Sequence, residues 1–250
     1  VRFGVNAGNS ITSGGNYNVV VGDEAGTAIT TADNNVAVGF EALKTLTVNS
    51  QNTAVGHTAL KFNTGGNNSA FGYGALAANT TGTYNVALGR SAGAAVTTGT
   101  NNTAVGGLAL DSNTTASNNT AVGYASLGAN TTGHSNVALG AYALDANTTG
   151  NDNIAVGYSS LGSNTTGYSN TAIGKNSLIS NTTGAQNTAV GDASAQSNTT
   201  GASLAALGRY ALYSNTTGSS NTGVGFQALF TNTTAGNNTA VGYVALLANT

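Results

Sequence analysis

The segment that decides the fold is Asn136-Val-Ala-Leu-Gly140, which returns one repeat later as Asn153-Ile-Ala-Val-Gly157. Its closing glycine occurs fourteen times at a constant spacing of seventeen, except for a spacing of sixteen between Gly56 and Gly72. These glycines are Gly22, Gly39, Gly56, Gly72, Gly89, Gly106, Gly123, Gly140, Gly157, Gly174, Gly191, Gly208, Gly225 and Gly242. We number repeat positions from this glycine as position 0. We therefore predict one repeat array over residues 1–250, an excerpt of a longer fibre without separate domains, with a frayed earlier copy at Arg2–Gly4.

The other repeat positions are almost as regular as the glycine. Position −4 is Asn in 13 of 14 copies, position −2 is Ala in 12, and position −1 is always a larger apolar residue. Position +3 is Ala or Ser, position +4 is Leu in 11 copies, position +7 is Asn in 11, and position +8 is Thr in all 14. Seventeen residues hold two or three short strands and their corners, but hardly a core of their own. We therefore predict an all-β parallel β-solenoid, or β-roll, of about fourteen stacked coils.

Stacked coils place identical residues directly above one another, about 4.8 Å apart. An Asn side chain suits this arrangement because its amide donates to one neighbouring copy and accepts from the other. The chain has no Pro, as expected where nearly every strand donates to its neighbours. The predicted structural ladders include Asn35, Asn52, Asn119, Asn136, Asn153, Asn170, Thr131, Thr148 and Thr165. An alternative places a single helical turn, closed by a C-terminal Gly, after each position 0.

Alternation along the strand predicts a second apolar surface. In Asn-Thr-Ala-Val-Gly, Asn and Ala share one face, and Thr and Val share the other. If the first face fills the coil, the second leaves a continuous apolar stripe, which a monomer does not usually tolerate. We therefore predict a homo-oligomer with cyclic symmetry, a trimer by the resemblance described next. The alternative is a larger monomeric coil that buries both faces.

The repeated Asn-x-Ala-Val/Ile-Gly unit, with a small residue three places later, resembles the head repeat of trimeric autotransporter adhesins. It also resembles the shaft repeats of phage and other viral tail fibres. The resemblance implies a parallel β-roll with three chains about one axis, on a cell surface or a virion. It also implies a structural role, in which the fibre spaces or presents a receptor-binding tip outside the cell. The adhesin repeat is shorter and lacks the Asn-Thr-Thr-Gly corner.

Composition excludes several other classes of function. Only 6 residues are basic and 8 are acidic, so nucleic-acid binding through charge is not expected. No apolar run is long enough for a transmembrane helix, and the absence of Cys excludes a disulfide framework or a thiolate metal site. His57, His134 and the carboxylates are scattered over the repeat. We therefore predict no enzyme activity, no catalytic or metal-binding residue, no cofactor and no membrane insertion by this segment.

Position +1 is the one that varies most, since it accepts Arg, Asp, Lys, Gly and aromatic residues. A position so tolerant must face solvent or a ligand. The candidate ligand-facing residues are Tyr73, Tyr124, Tyr158, Phe226 and Tyr243. Exposed Tyr is common in contacts with glycans or proteins, so an adhesin that binds cell-surface glycans or matrix along its length is the second hypothesis. Ice binding by the Thr column is a third, and glycans on the repeated Asn-Thr-Thr sequons are a further possibility.

Overall fold

The structure is a computed structural model that describes residues 2–249 of the chain. Within these residues it contains strands and turns and no helix, so the chain is all-β, as the repeat predicts. Contacts between Cα atoms divide it into two compact units, Val1–Tyr124 (unit 1) and Ala125–Thr250 (unit 2). Both units are parallel β-solenoids built from the same repeat.

Each coil contributes a single strand, at positions −3 to −1, rather than the two or three that the repeat length allows. The strands of unit 1 are β1 (Arg2–Phe3), β2 (Val19–Val21), β3 (Val36–Val38), β4 (Thr53–Val55), β5 (Ser69–Phe71), β6 (Val86–Leu88), β7 (Thr103–Val105) and β8 (Thr120–Val122). Those of unit 2 are β9 (Val137–Leu139), β10 (Ile154–Val156), β11 (Thr171–Ile173), β12 (Thr188–Val190), β13 (Ala205–Leu207), β14 (Thr222–Val224) and β15 (Thr239–Val241). Strand β1 pairs with β2, which confirms the predicted earlier copy at Arg2–Gly4.

Within each unit, consecutive strands pair in parallel with identical repeat positions opposite one another. Ala155, for example, pairs with Ala138 before it and Ala172 after it. The one shorter coil keeps this register, because Ala54 pairs with Ala70. Its missing residue is taken up in the corner, where the side-chain amide of Asn63 donates to a carbonyl two residues on instead of three.

A chain of tight turns, not a helical turn, follows each strand. In one coil of unit 2 the amide of Ser160 donates to the Gly157 carbonyl at 3.3 Å, and the amide of Asn164 donates to the Leu161 carbonyl at 3.1 Å. The amide of Leu161, between these two residues, donates to the main-chain carbonyl of Ser177 in the next coil at 3.0 Å. Positions +2 and +4 have left-handed φ angles, 53° at Ser159 and 50° at Leu161. The alternating sign of φ excludes a helix, so the helical-turn alternative is wrong.

The closing glycine cannot be replaced by another residue without conflict. At Gly157 φ is 130°, and a Cβ atom built there would lie 2.7 Å from the main chain of Gly174 in the next coil. Both the conformation and the close approach of the two backbones require glycine. This is why position 0 is invariant over the fourteen copies.

The core consists of small residues at positions −2 and +3 around a column of Leu at position +4. Leu161 and Leu178 are fully buried although their φ angles are left-handed. That conformation costs roughly 1–2 kcal/mol for a non-glycine residue, and burial of the Leu side chain offsets it with about 1.5–3 kcal/mol. Where unit 1 has Gly93 at position +4, Val96 at position +7 points into the core and replaces the missing bulk.

Candidate functional site

Buried Asn side chains form a column at position −4 in both units and a second column at position +7 that is complete only in unit 2. At position −4, the main-chain and side-chain amides of Asn153 both donate to Oδ1 of Asn136, at 3.0 and 3.2 Å. The same side-chain amide donates to the carbonyl of Gly167 at 2.9 Å. The predicted ladder residues Asn35, Asn52, Asn119, Asn136, Asn153 and Asn170 are all buried in this column. Each coil is therefore joined to the next by side-chain as well as main-chain hydrogen bonds.

The second Asn column, at position +7, contains the asparagines of the sequons. Asn164 donates from its side-chain amide to Oδ1 of Asn147 at 2.9 Å and to the Gly167 carbonyl at 3.0 Å. The sequon residues with no exposed surface are Asn79, Asn113, Asn130, Asn147, Asn164, Asn181, Asn198, Asn215 and Asn232. Because a glycan needs an exposed amide nitrogen, the folded coils cannot accept one at these positions.

The Thr column at position +8 also bonds from coil to coil. The hydroxyls of Thr131, Thr148 and Thr165 each donate to the main-chain carbonyl of the Thr in the following coil, at 3.0 to 3.1 Å. The hydroxyl donors of this column therefore bond to the protein rather than to water. This argues against the ice-binding alternative, which rests on a Thr column that presents its hydroxyls to the surroundings.

The face of the sheet that points away from the core is formed by positions −3, −1 and +1, and we call it the outward face. The side chains of the middle strand residues, such as Ala138, are buried, whereas Leu139 and Ile173 at position −1 are 38% and 39% exposed. Ile154 at position −3 is exposed as well. The expected division of the strand into a buried and an unburied apolar face is therefore present in the folded chain.

Position +1 places the predicted ligand-facing residues along one edge of the outward face. Tyr73, Tyr124, Tyr158 and Tyr243 are 51–79% exposed. Phe226 is partly exposed and stacks on Tyr243, with ring centroids 5.3 Å apart. The structure does not bring these five residues together into one site, since they come from different coils and from both units. They form short local stacks instead, such as Tyr73 against His57 at 5.0 Å.

Charged side chains are few, and six of the fourteen form ion pairs, mostly between neighbouring coils. In unit 1, Lys44 bonds to Glu24 and Glu41, and Lys61 bonds to Glu41 at 2.6 Å. Hydrogen bonds donated by Lys44 and then by Lys61 lower the pKa of Glu41, and the hydrogen bonds that Lys44 donates to Glu24 and Glu41 raise the pKa of Lys44 to about 12. In unit 2, Arg209 pairs with Asp192 at 3.3 Å. These contacts tie neighbouring coils together on the surface.

The described residues form neither a metal-binding cluster nor a membrane-spanning helix. Residues 2–249 contain no cluster of three or more His, Cys, Asp or Glu side chains that could hold a metal ion. Over the same residues there is no helix of the length and apolar character that crossing a bilayer requires. His57 stacks between Phe40 and Tyr73, and His134 lies in a corner of unit 2 beside Ser135.

Sequence reasoning missed one surface feature, a cleft in unit 2 between Tyr142, Asp145 and Tyr158. Its signal is present in the sequence, because Asp145 at position +5 has glycines at the same position in the coils before and after it, Gly128 and Gly162. No family model, curated protein or solved structure matches the chain.

Proposed function

We propose that this chain is a structural shaft segment of a fibre on a cell surface or virion, in which three copies pack through their outward faces. The observation that carries the proposal is the outward face itself. It repeats an apolar residue at position −1 in every coil, and these side chains stay partly exposed in the isolated chain. A second copy of the same chain is the partner that matches this face at the same repeat along its whole length.

The size of the outward face supports the same conclusion. About seven strands per unit, with positions −3 to +1 spanning roughly 13 Å, give a face of about 400 Å² in each unit. Summed over the two units this is about 800 Å², comparable to the area that each partner of a stable protein–protein interface buries.

The rest of the molecule supports a structural role rather than a catalytic one. The interior is filled by hydrogen-bonded Asn and by Leu, and the repeat continues through both units with little change. Hydrogen bonds and apolar packing between coils, rather than ion pairs, stabilise such a segment, and each added coil extends it by the same interactions.

Cysteine cross-linking tests the proposal, since the chain has no Cys of its own. Single Cys substitutions at Leu139, Val156 and Ile173 place a thiol on the outward face at successive coils. We expect oxidation, or a short bismaleimide, to link neighbouring chains through at least one of them. The matched controls are Thr149→Cys, Thr166→Cys and Thr183→Cys at the exposed position +9 of the same coils, where no link is expected. Equal yields from the two sets, or no link from the outward set, would contradict the proposed packing.

A further inference from the structure

Unit 2 carries an open cleft of about 390 Å³ beside its outward face. Its walls include Tyr142 at position +2, Asp145 at position +5 and Tyr158 at position +1 of the next coil. Gly162, Ser163 and Ile179 also line it. The lining residues come from three consecutive coils, so the cleft is a local departure from an otherwise regular surface.

The cleft exists because position +5 is glycine on both sides of Asp145. A Cβ atom added at Gly128 would lie 3.0 Å from Oδ1 of Asp145, so glycine there leaves room for the carboxylate. A Cβ atom at Gly162 would project to within 3.7 Å of Ile179 in the following coil. Other coils have larger side chains at position +5, including Lys, Tyr and Phe.

Among the described residues, the carboxylate in this cleft has no cationic partner. Asp145 forms no hydrogen bond or ion pair through its side chain within residues 2–249, and burial alone raises its pKa. Asp111 occupies the same repeat position in unit 1, but there the nearby Arg90 partly offsets the effect of burial on the pKa. Asp145 is therefore a partly desolvated negative charge that a cationic ligand would neutralise.

Two tyrosine rings complete the environment that an organic cation prefers. The rings of Tyr142 and Tyr158 are 5.9 Å apart between centroids and lie at 82° to each other, so they line the cleft as two perpendicular walls. The face of an aromatic ring carries partial negative charge and attracts ammonium groups within about 6 Å. An aromatic pair at right angles with an adjacent carboxylate is suited to an ammonium carried on a short apolar group.

We propose that the cleft formed by Tyr142, Asp145 and Tyr158 binds an organic ammonium group. The charge pairs with the Asp145 carboxylate, and the carbon atoms attached to the nitrogen pack on the two rings. The same chemistry is offered by a trimethylammonium headgroup and by a lysine side chain, so the ligand class is an alkylammonium ion.

The test is a titration of the full chain with small ammonium compounds, in which binding is monitored by NMR through the ring proton signals of the tyrosines. Choline chloride and n-butylamine are the ammonium probes, and 3,3-dimethyl-1-butanol is the neutral isostere of choline. We expect both ammonium probes to shift the ring signals and the alcohol to bind about tenfold more weakly or not at all. A preference for choline over n-butylamine would identify a trimethylammonium source, and the reverse order a lysine source.

Two matched variants separate a charge-selective site from a merely apolar cleft. Asp145→Asn should weaken choline binding about tenfold, whereas Asp111→Asn, at the same repeat position but with Leu108 in place of the Tyr142 ring and with Arg90 nearby, should leave it unchanged. Circular dichroism of both variants checks the fold. Equal binding of choline and its neutral isostere, unchanged binding by Asp145→Asn, or no binding of any probe would overturn the proposal. None of these outcomes bears on cross-linking through the outward face, so failure of this site is distinguishable from failure of the proposed fibre.

Discussion

Position +7 is Asn in every coil of unit 2, from Asn130 to Asn249, whereas in unit 1 three of the six coils have an apolar residue there. These are Ile29, Leu46 and Val96, and all three are buried. In unit 2, Oδ1 of Asn147 accepts a hydrogen bond from Asn164 in the next coil. In unit 1, Oδ1 of Asn79 is buried without any hydrogen-bond partner, because the next coil has Val96 instead of Asn.

The difference shows that the contribution of an Asn to stability depends on whether the neighbouring coils also have Asn at that position. An Asn inside an unbroken ladder uses both its donor and its acceptor, while an Asn at a break keeps a desolvated acceptor with no donor. At two of the three breaks the apolar residue fills space left by glycine at position +4, with Ile29 beside Gly26 and Val96 beside Gly93. Unit 1 thus combines two solutions to the same interior, and unit 2 uses one throughout.

The largest expected effect is the loss of an Asn from an unbroken ladder. Asn164→Ala leaves Oδ1 of Asn147 without a donor, and it removes one of two donors to the Gly167 carbonyl and one of two acceptors for the side-chain amide of Asn181. With one buried acceptor left unsatisfied at about 1–3 kcal/mol and two further hydrogen bonds lost at about 1 kcal/mol each, we expect the free energy of unfolding to fall by about 3–5 kcal/mol. Urea unfolding, monitored by circular dichroism, measures this loss of stability.

Asn79→Ala is the matched variant at the break, because its Oδ1 already lacks a donor. It should therefore cost about 1–3 kcal/mol less than Asn164→Ala. Equal losses from the two variants would show that the ladder stabilises each coil independently of its neighbours.

The next largest effect is a gain in stability, expected when the Asn ladder of unit 1 is restored where Val96 interrupts it. The double variant Gly93→Leu with Val96→Asn restores Leu at position +4 and places a donor beside Oδ1 of Asn79. We expect it to raise the free energy of unfolding by about 1–2 kcal/mol. Gly93→Leu alone is the control, and it should be destabilising because the added side chain would crowd Val96, whose Cγ2 lies 3.5 Å from a Cβ atom at position 93. A double variant less stable than the natural chain would contradict the proposed role of the ladder.

The smallest effect concerns a single hydroxyl in unit 2. Ser177, at position +3, has a buried hydroxyl without a hydrogen-bond partner, whereas the hydroxyl of Ser160 donates to the Gly157 carbonyl at 3.1 Å. Ser177→Ala should therefore raise the free energy of unfolding by about 1 kcal/mol, and Ser160→Ala should leave it nearly unchanged or lower it slightly. Thermal unfolding of the two variants side by side checks the difference, and a lower midpoint for Ser177→Ala would refute it.

The repeat was sufficient to predict the stacked coils, the register of the strands and which strand residues point inward. The constant spacing leaves one alignment of identical positions, and alternation then assigns Ala138 to the core and Leu139 to the surface. The path of the turns was not predictable in the same way. Steric clashes disfavour the left-handed region for Leu. Leu161 and the other leucines at position +4 nevertheless adopt left-handed φ angles, because burial of their side chains between coils offsets the conformational cost. The cleft was missed because it depends on what is absent beside Asp145, at Gly128 and Gly162, rather than on a repeated motif.

The central claim is that the buried polar groups of the solenoid form their hydrogen bonds within one chain, while the outward face requires other copies of the chain to be buried. The mass of the chain in solution, measured by light scattering after size exclusion, tests this most directly. We predict a mass near three times that of one chain, unchanged by Thr149→Lys with Thr183→Lys at the corners but reduced to one chain by Leu139→Lys with Ile173→Lys. A natural chain that remains a monomer at all concentrations would contradict the claim, because its outward face would then be stable in water.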